Sequence, residues 1–130
     1  MAGKGLAVKS GKELQQKVVE LAHALGLNAK TEVKAARRIW GAERYIDVIV
    51  SNTSNTKTLG IECKYQGTSG SAEEKIPSTI EDIQSWPIAG LVVINGDGFS
   101  TNMVGYLLST GKVVWFKDLE DWLRLYFSLV

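Results

Sequence analysis

Two acidic residues interrupt neighbouring apolar stretches of the chain. Asp47 lies within residues 45–50 (YIDVIV), and Glu62 lies within residues 58–65 (TLGIECKY). A buried carboxylate costs free energy unless a positive group pairs with it, and two neighbouring carboxylates repel each other. A divalent cation relieves both effects, and carboxylate oxygens are hard ligands of the kind that Mg²⁺ prefers. The pattern therefore predicts a Mg²⁺ site, at which Mn²⁺ is expected to substitute.

Lys64 adds a positive charge beside this pair. Residues i and i+2 of a β-strand project from the same face, so Glu62 and Lys64 are expected to lie together while Cys63 points to the other side. If Asp47 lies beside Glu62 on a paired strand, three charged groups converge, and the backbone carbonyl of Cys63 is a further candidate metal ligand. The metal would polarise a phosphodiester and lower the pKa of its bound water, while Lys64 orients that water or steadies charge on phosphorus. The arrangement predicts metal-dependent phosphodiester hydrolysis.

A simpler alternative is an ion pair between Glu62 and Lys64 at a strand edge, with Asp47 in a turn. This alternative leaves unexplained why all three residues interrupt apolar runs.

Apolar periodicity and turn residues predict the elements that must position these side chains. A helix over residues 10–26 is expected to be capped by Ser10 and stopped by Gly26. Strands are predicted over residues 28–33, 45–50, 58–65, 91–95 and 113–116. Helices are predicted over residues 72–85, 102–109 and 118–127, the last capped by Asp118. Residues 34–44 are predicted to form a loop or an exposed ribbon. This order predicts a single α/β domain over residues 1–130, with a mixed central β-sheet flanked by helices.

The acidic pair and its spacing resemble a known family. Asp47, followed after 14 residues by Glu62-Cys63-Lys64 on consecutive apolar strands, resembles the PD-(D/E)xK nuclease superfamily. That superfamily includes type II restriction endonucleases and archaeal Holliday-junction resolvases. The order of elements over about residues 10–95 resembles its shared core, so the resemblance implies a restriction endonuclease-like fold (αβββαβ). Ile46 stands where the family pattern has proline.

The resemblance also implies further site residues. Many relatives carry a glutamate on the first helix that reaches the metal, and Glu13 is the candidate here, with Glu20 as the alternative. Gln66, two residues beyond Lys64, is implied to assist catalysis.

A basic segment precedes the acidic pair in the chain. Lys34, Arg37, Arg38 and Arg44 surround Trp40, and such side chains typically contact backbone phosphates. Arg37 or Arg38 could instead read guanine in the major groove. The alternative is an ordinary exposed basic loop. Secondary candidates for DNA contact are Ser71 and Lys75, at the start of a predicted helix and in a segment that resembles the post-catalytic region of some restriction enzymes.

Composition limits the other classes of function. The chain has 130 residues, one cysteine and one histidine, which excludes a disulfide framework, a zinc cluster and mechanisms that need two histidines. Residues 1–66 carry 11 Lys/Arg and 6 Asp/Glu, whereas residues 67–130 carry 4 and 8, so the first half is the better candidate for facing phosphates. With no signal peptide and no membrane-spanning run, a cytoplasmic, soluble protein with no membrane partner is expected.

The leading hypothesis is a Mg²⁺-dependent endodeoxyribonuclease that acts on duplex or branched DNA, of restriction, homing or junction-resolvase type. A homodimer is expected, because cutting both strands requires two active sites. The apolar C-terminal helix is either core or subunit interface. The alternatives are a non-catalytic DNA-binding module or regulatory subunit that retains the nuclease fold, and an α/β interaction domain with no nucleic-acid partner.

Overall fold

A five-stranded mixed sheet forms the centre of the computed structural model, which describes residues 10–37, 43–68 and 73–129. Its strands lie in chain order across the sheet: β1 (Asn28–Arg37), β2 (Glu43–Ser51), β3 (Thr58–Tyr65), β4 (Ala89–Asn95) and β5 (Val113–Trp115). The pairs β1–β2 and β2–β3 are antiparallel, whereas β3–β4 and β4–β5 are parallel. The helices within the described ranges are α1 (Gly11–Ala24), α2 (Ile76–Gln84), α3 (Thr101–Ser109) and α4 (Leu119–Tyr126).

Helix α1 begins and ends where its sequence predicts. The Ser10 side chain accepts a hydrogen bond from the backbone N–H of Glu13 at 3.1 Å, which satisfies one of the free donors of the first turn. Gly26 follows the helix with a φ of 80°, in the left-handed region that glycine adopts without steric cost. The predicted cap and the predicted stop are both confirmed.

Apolar side chains form two clusters, one on each face of the sheet. The first cluster joins α1 and α4 to the sheet through Leu14, Val18, Leu119, Leu123 and Phe127, all with no exposed surface. The second joins α2 and α3 to the sheet through Ile76, Ile80, Ile83 and Leu107. The parallel strand β4 is buried on both faces and contributes to both clusters. The sheet is therefore covered on both sides, and the α/β prediction is confirmed.

Strands β1 and β2 are both longer than the sequence predicts. Strand β1 continues to Arg37 and β2 begins at Glu43, so both ends of the predicted 34–44 segment belong to the sheet. Their ladder runs from Asn28 paired with Ser51 to Arg37 paired with Glu43, with one register shift. Polar residues form strand here because the partner strand supplies their backbone hydrogen bonds.

One predicted helix start is displaced, and one predicted helix cap is missing. Helix α2 begins at Ile76 rather than at residue 72, because Pro77 suits only the first turn of a helix, and a 3₁₀ turn (Glu73–Lys75) precedes it. Asp118 stands at the N-cap position of α4, but its side chain makes no capping hydrogen bond, so that prediction is wrong. A 3₁₀ turn (Phe116–Asp118) already holds its backbone near helical angles. Across the described ranges, no helix has both the length and the apolar character needed to span a membrane.

Candidate active site

Strands β2 and β3 separate at the two acidic residues. Their ladder ends at Val48 paired with Ile61, so Asp47 and Glu62 would form the next pair. Instead, Asp47 Oδ2 accepts a hydrogen bond from the backbone N–H of Cys63 at 2.8 Å. Glu62 Oε2 accepts one from the backbone N–H of Asp47 at 3.3 Å. Each carboxylate thus accepts a hydrogen bond from a backbone N–H of the opposite strand where the ladder ends, which fixes both acids at the opening.

Strand β2 is also irregular at Asp47 on the side that faces β1. Glu32 is the β1 residue opposite Asp47 in register, yet it is missing from the ladder and has a φ of 51°. Ile46 packs in the second apolar cluster and Val48 in the first, although alternate residues of a regular strand share a face. A left-handed non-glycine residue is uncommon and typical of functional sites. Asp47 therefore occupies a local break in the sheet.

The alternation of β3 places Glu62 and Lys64 on one face. Ile61 and Cys63 pack into the cluster under α1 and α4, so the two charged residues between and after them face the other way. Glu62 is 5% exposed, and Lys64 is half-buried. The burial of Glu62 makes its charge costly without a cation nearby.

Cys63 shares the electrostatic environment of the site but faces the core. Burial raises the pKa of its thiol, and the negative charges of Asp47 and Glu62 raise that pKa further, while Lys64 opposes them. The thiol therefore stays protonated at neutral pH. His23 is exposed on α1, so a Cys–His hydrolase is excluded as the mechanism.

The acidic pair suits a hard divalent cation. Mg²⁺ is commonly bound through one or two carboxylates, with waters and substrate phosphates completing its coordination. A carboxylate has about four lone-pair sites, so the N–H donors described above leave capacity for a cation on these oxygens. Asp47 and Glu62 therefore fit such an ion chemically.

Neither helix glutamate joins this pair. Glu13 is exposed in the first turn of α1, where its backbone is held by Ser10. Glu20 accepts hydrogen bonds from Gln16 and Lys17, both at 3.4 Å. Within the ranges that the structure describes, no three His, Cys, Asp or Glu side chains come together as a metal-binding group. The metal-ligand role that the resemblance implies for Glu13 stays a prediction.

Gln66 lies just beyond β3, and its side chain is occupied by structural hydrogen bonds. Its Nε2 donates to the carbonyl of Gly98 at 2.7 Å and to Glu73 Oε1 at 3.1 Å, and its Oε1 accepts from the Glu73 backbone N–H at 2.9 Å. Ser100 donates to Glu73 as well, through Oγ at 2.7 Å and through its backbone N–H at 3.1 Å. Gln66 is 5% exposed. These hydrogen bonds hold the Gln66 side chain in a network with Glu73, and through Glu73 with Ser100, neither of which the sequence indicated. The catalytic role implied for Gln66 stays a prediction.

The predicted DNA-contact residues are only partly visible. Lys34 is exposed on β1, and Lys75 is exposed immediately before α2. Arg37 and Arg44 belong to the facing ends of β1 and β2. Arg38, Trp40 and Ser71 lie outside the described residues.

The five-stranded mixed sheet with helices on both faces, opened at two carboxylates, defines a restriction endonuclease-like α/β fold. The chain belongs to the PD-(D/E)XK nuclease superfamily, because residues 2–115 match the model of the family described as the PD-(D/E)XK nuclease superfamily domain. The resemblance drawn from Asp47, Glu62 and Lys64 is confirmed at the level of the family.

Two solved structures share this fold at low sequence identity. AF1548, a protein of unknown function, is similar with 20% identity and a TM-score of 0.55, over 78% of this chain and 56% of its own. VC1899 from Vibrio cholerae is similar with 14% identity and a TM-score of 0.59, over 92% of this chain and 34% of its own. A repair endonuclease from Pyrococcus abyssi has 9% identity and a TM-score of 0.48, over 84% of this chain and 47% of its own.

The chain therefore spans about half or less of the length of these neighbours. A comparison with curated proteins found no significant match.

Proposed function

We propose that this chain is a Mg²⁺-dependent endodeoxyribonuclease whose active site is formed by Asp47, Glu62 and Lys64. The observation that carries the proposal is the meeting of the two carboxylates across the β2–β3 opening, with Cys63 N–H and Asp47 N–H as their backbone donors. Because the chain belongs to the nuclease superfamily, the reaction proposed at this pair is phosphodiester hydrolysis.

The roles follow from the position of each group. When bound, Mg²⁺ would polarise the scissile phosphate and lower the pKa of a coordinated water. Asp47 and Glu62 would hold the ion through the oxygens that their backbone donors orient. Lys64 would orient the attacking water and stabilise the charge that develops on the phosphate oxygens. The Cys63 carbonyl is a further candidate ligand, because Cys63 follows Glu62 in β3 and its backbone N–H donates to Asp47.

The proposed substrate is duplex or branched DNA. Lys34 and Lys75 are exposed cations that could contact the phosphate backbone, which would set position and affinity rather than sequence. A restriction, a homing and a resolvase role all fit this chemistry.

A homodimer is part of the proposal, because cutting both strands of a duplex requires two active sites. The C-terminal helix gives it little support. Leu119, Leu123 and Phe127 are fully buried in the core, and Leu125, at 83% exposed, is the one apolar residue of α4 that lies mainly in solvent. Light scattering of the purified chain, alone and with DNA, would test the assembly.

The test is cleavage of a panel of DNA substrates with Mg²⁺, Mn²⁺ or EDTA. The panel comprises supercoiled plasmid, linear duplex, single strands and a four-way junction. We expect cleavage with either metal and none with EDTA. Discrete duplex fragments would indicate sequence specificity, and preferential cutting of the junction would indicate a resolvase. Binding of DNA by the folded protein without cleavage of any substrate would overturn the proposal in favour of a non-catalytic module.

A further inference from the structure

A cleft of about 520 Å³ lies at the edge of the sheet where the parallel strands β3, β4 and β5 end. Its walls include the aromatic side chains of Tyr65, Phe99 and Trp115. The rings of Phe99 and Trp115 meet edge to face, with centroids 5.9 Å apart and planes at 87°. All three side chains are half-buried, so each keeps part of its surface open to the cleft. Aromatic faces of this kind stack with nucleobases regardless of sequence.

Polar groups complete the cleft. Asn95, Asp97 and Lys117 also line it, and none of these three side chains has a hydrogen-bond or ion-pair partner within the described part of the chain. An asparagine amide offers both donors and an acceptor to a base edge, and a carboxylate accepts from an exocyclic amino group. A lysine ammonium matches a phosphate. The chemistry of the lining therefore matches the base and the phosphate of one nucleotide.

The turn that carries these polar groups is held in place. The Gly98 N–H donates to the Gln66 carbonyl at 2.8 Å, and Gln66 Nε2 donates back to the Gly98 carbonyl at 2.7 Å. Gly96 has a φ of 113°, and a Cβ added there would lie 2.2 Å from the Gln66 carbonyl oxygen. Such close packing fixes Asn95 and Asp97 before a ligand arrives, which reduces the entropy cost of binding.

The cleft and the candidate active site share strand β3. Tyr65 directly follows Lys64, and it lies three residues beyond Glu62, or about 10 Å at the rise of a strand. Successive phosphates of one DNA strand are about 3.4 Å apart along the axis of a duplex and farther apart when extended. A strand cut at the acidic pair would therefore reach the cleft within a few nucleotides.

We propose that this cleft binds one unpaired nucleotide of the DNA substrate, its base stacked on the aromatic side chains and its phosphate near Lys117. The proposal rests on the proposed nuclease function and specifies its substrate class: DNA with a single-stranded segment beside the cut. The volume of the cleft falls in the range of small-molecule sites, which suits a single nucleotide. A base taken from intact duplex would first have to be unpaired, which costs a few kcal/mol. A single-stranded tail avoids that cost.

The test measures DNA binding in EDTA, so that it does not depend on cleavage. Fluorescence anisotropy compares a blunt duplex with the same duplex carrying a single-stranded tail, using the wild type, Trp115→Leu, Lys117→Gln and, as matched aromatic control, Tyr106→Leu. Tyr106 is 56% exposed on α3 and lies away from the cleft. We expect the wild type and Tyr106→Leu to bind the tailed duplex about ten-fold more tightly than the blunt one. This preference should be lost in Trp115→Leu and weakened in Lys117→Gln. A 2-aminopurine base in the tail should be quenched on binding to the wild type.

Several results would overturn the proposal. One is equal affinity of the wild type for tailed and blunt duplex, and another is an undiminished preference in both cleft variants. If Trp115→Leu does not fold, the tail preference of Lys117→Gln and the quenching of 2-aminopurine by the wild type test the proposal instead. Displacement of the tail by free deoxyadenosine monophosphate at equal affinity would identify a mononucleotide site instead.

These outcomes separate the two proposals. Failure to cleave, with a tail preference that depends on Trp115, would remove the nuclease function and leave the nucleotide site. Equal cleavage and equal binding of blunt and tailed DNA would remove the nucleotide site and leave the nuclease function.

Discussion

Asp47 and Glu62 lie opposite each other one residue beyond the last pair of the β2–β3 ladder, and the Asp47 backbone N–H donates to Glu62 Oε2 at 3.3 Å. In turn, the backbone N–H of Cys63, the residue after Glu62, donates to Asp47 Oδ2 at 2.8 Å. Two carboxylates that would repel each other are thereby held together by backbone donors. A cation at the proposed site would bind between these two negative charges.

Mg²⁺ is expected to stabilise the folded chain in the absence of DNA. Binding to the native state alone adds about 2.7 kcal/mol when the ion is at 100 times its dissociation constant, which corresponds to a Tm rise of several degrees. Asp47→Asn keeps an acceptor for the Cys63 N–H but removes the charge, so it should abolish the rise. Differential scanning calorimetry with Mg²⁺ and with EDTA measures the effect. An equal rise in Asp47→Asn would place the ion elsewhere.

Lys64→Met should separate catalysis from metal binding. The substitution keeps an apolar stem on β3 and removes the ammonium that would stabilise transition-state charge. We expect cleavage to slow by about 100-fold or more, while the Mg²⁺-dependent rise in Tm persists. Lys112→Met, at an exposed lysine before β5, is the matched control and should cleave at the wild-type rate. Cleavage by Lys64→Met within a few-fold of the wild type would remove Lys64 from the catalytic group.

Gly96→Ala should destabilise the chain, whereas Gly105→Ala should not. At Gly96 the backbone is left-handed, with φ of 113°, and the new Cβ would meet the Gln66 carbonyl oxygen at 2.2 Å. At Gly105, within α3, no atom lies within 4 Å of an added Cβ. We expect a loss of about 2 kcal/mol or more for Gly96→Ala and a gain of about 0.5–1 kcal/mol for Gly105→Ala. Urea denaturation followed by circular dichroism measures both changes, and equal effects would contradict the packing of the turn.

Glu73 should contribute a pH-dependent part of the stability. Hydrogen bonds from the Ser100 side chain, the Ser100 backbone N–H and Gln66 lower the pKa of Glu73 from its usual 4.5. A carboxyl whose pKa is lower in the folded state stabilises that state above the unfolded pKa, and the contribution disappears as pH falls through the folded value. The stability difference between wild type and Glu73→Gln should therefore be constant at neutral pH and shrink below about pH 4.5.

Glu74→Gln, at the exposed neighbouring glutamate, is the matched control for this measurement. Urea denaturation over a series of pH values gives the free energies of unfolding. A difference between wild type and Glu73→Gln that grows as the pH falls would contradict the assignment.

The sequence predicted the elements and the acidic pair because both have local signatures. The cap at Ser10, the stop at Gly26 and the apolar run around Asp47 are each visible within a few residues. The roles of Gln66 and Glu13 were carried over from the family, and their surroundings depend on distant residues. Gln66 bonds to Gly98, which is 32 residues away, and no local pattern encodes that contact.

The ends of β1 and β2 were missed for a related reason. Residues 34–37 are two basic residues around two alanines, a composition that does not favour strand, so their strand conformation depends on pairing with the start of β2. Ser100 could have been found: it precedes the predicted third helix, and its side chain accepts from the Met103 N–H as an N-cap.

The most direct test of the central claim is Mg²⁺-dependent cleavage of supercoiled plasmid by the wild type, Asp47→Asn and Asp121→Asn. Asp121 is an exposed aspartate on α4, so Asp121→Asn makes the same chemical change away from the site. We expect the wild type and Asp121→Asn to nick or linearise the plasmid at similar rates, with no cleavage in EDTA. Asp47→Asn, folded to the same extent by circular dichroism, should be slower by about 100-fold or more. Cleavage by Asp47→Asn at the wild-type rate would contradict the assignment of the active site.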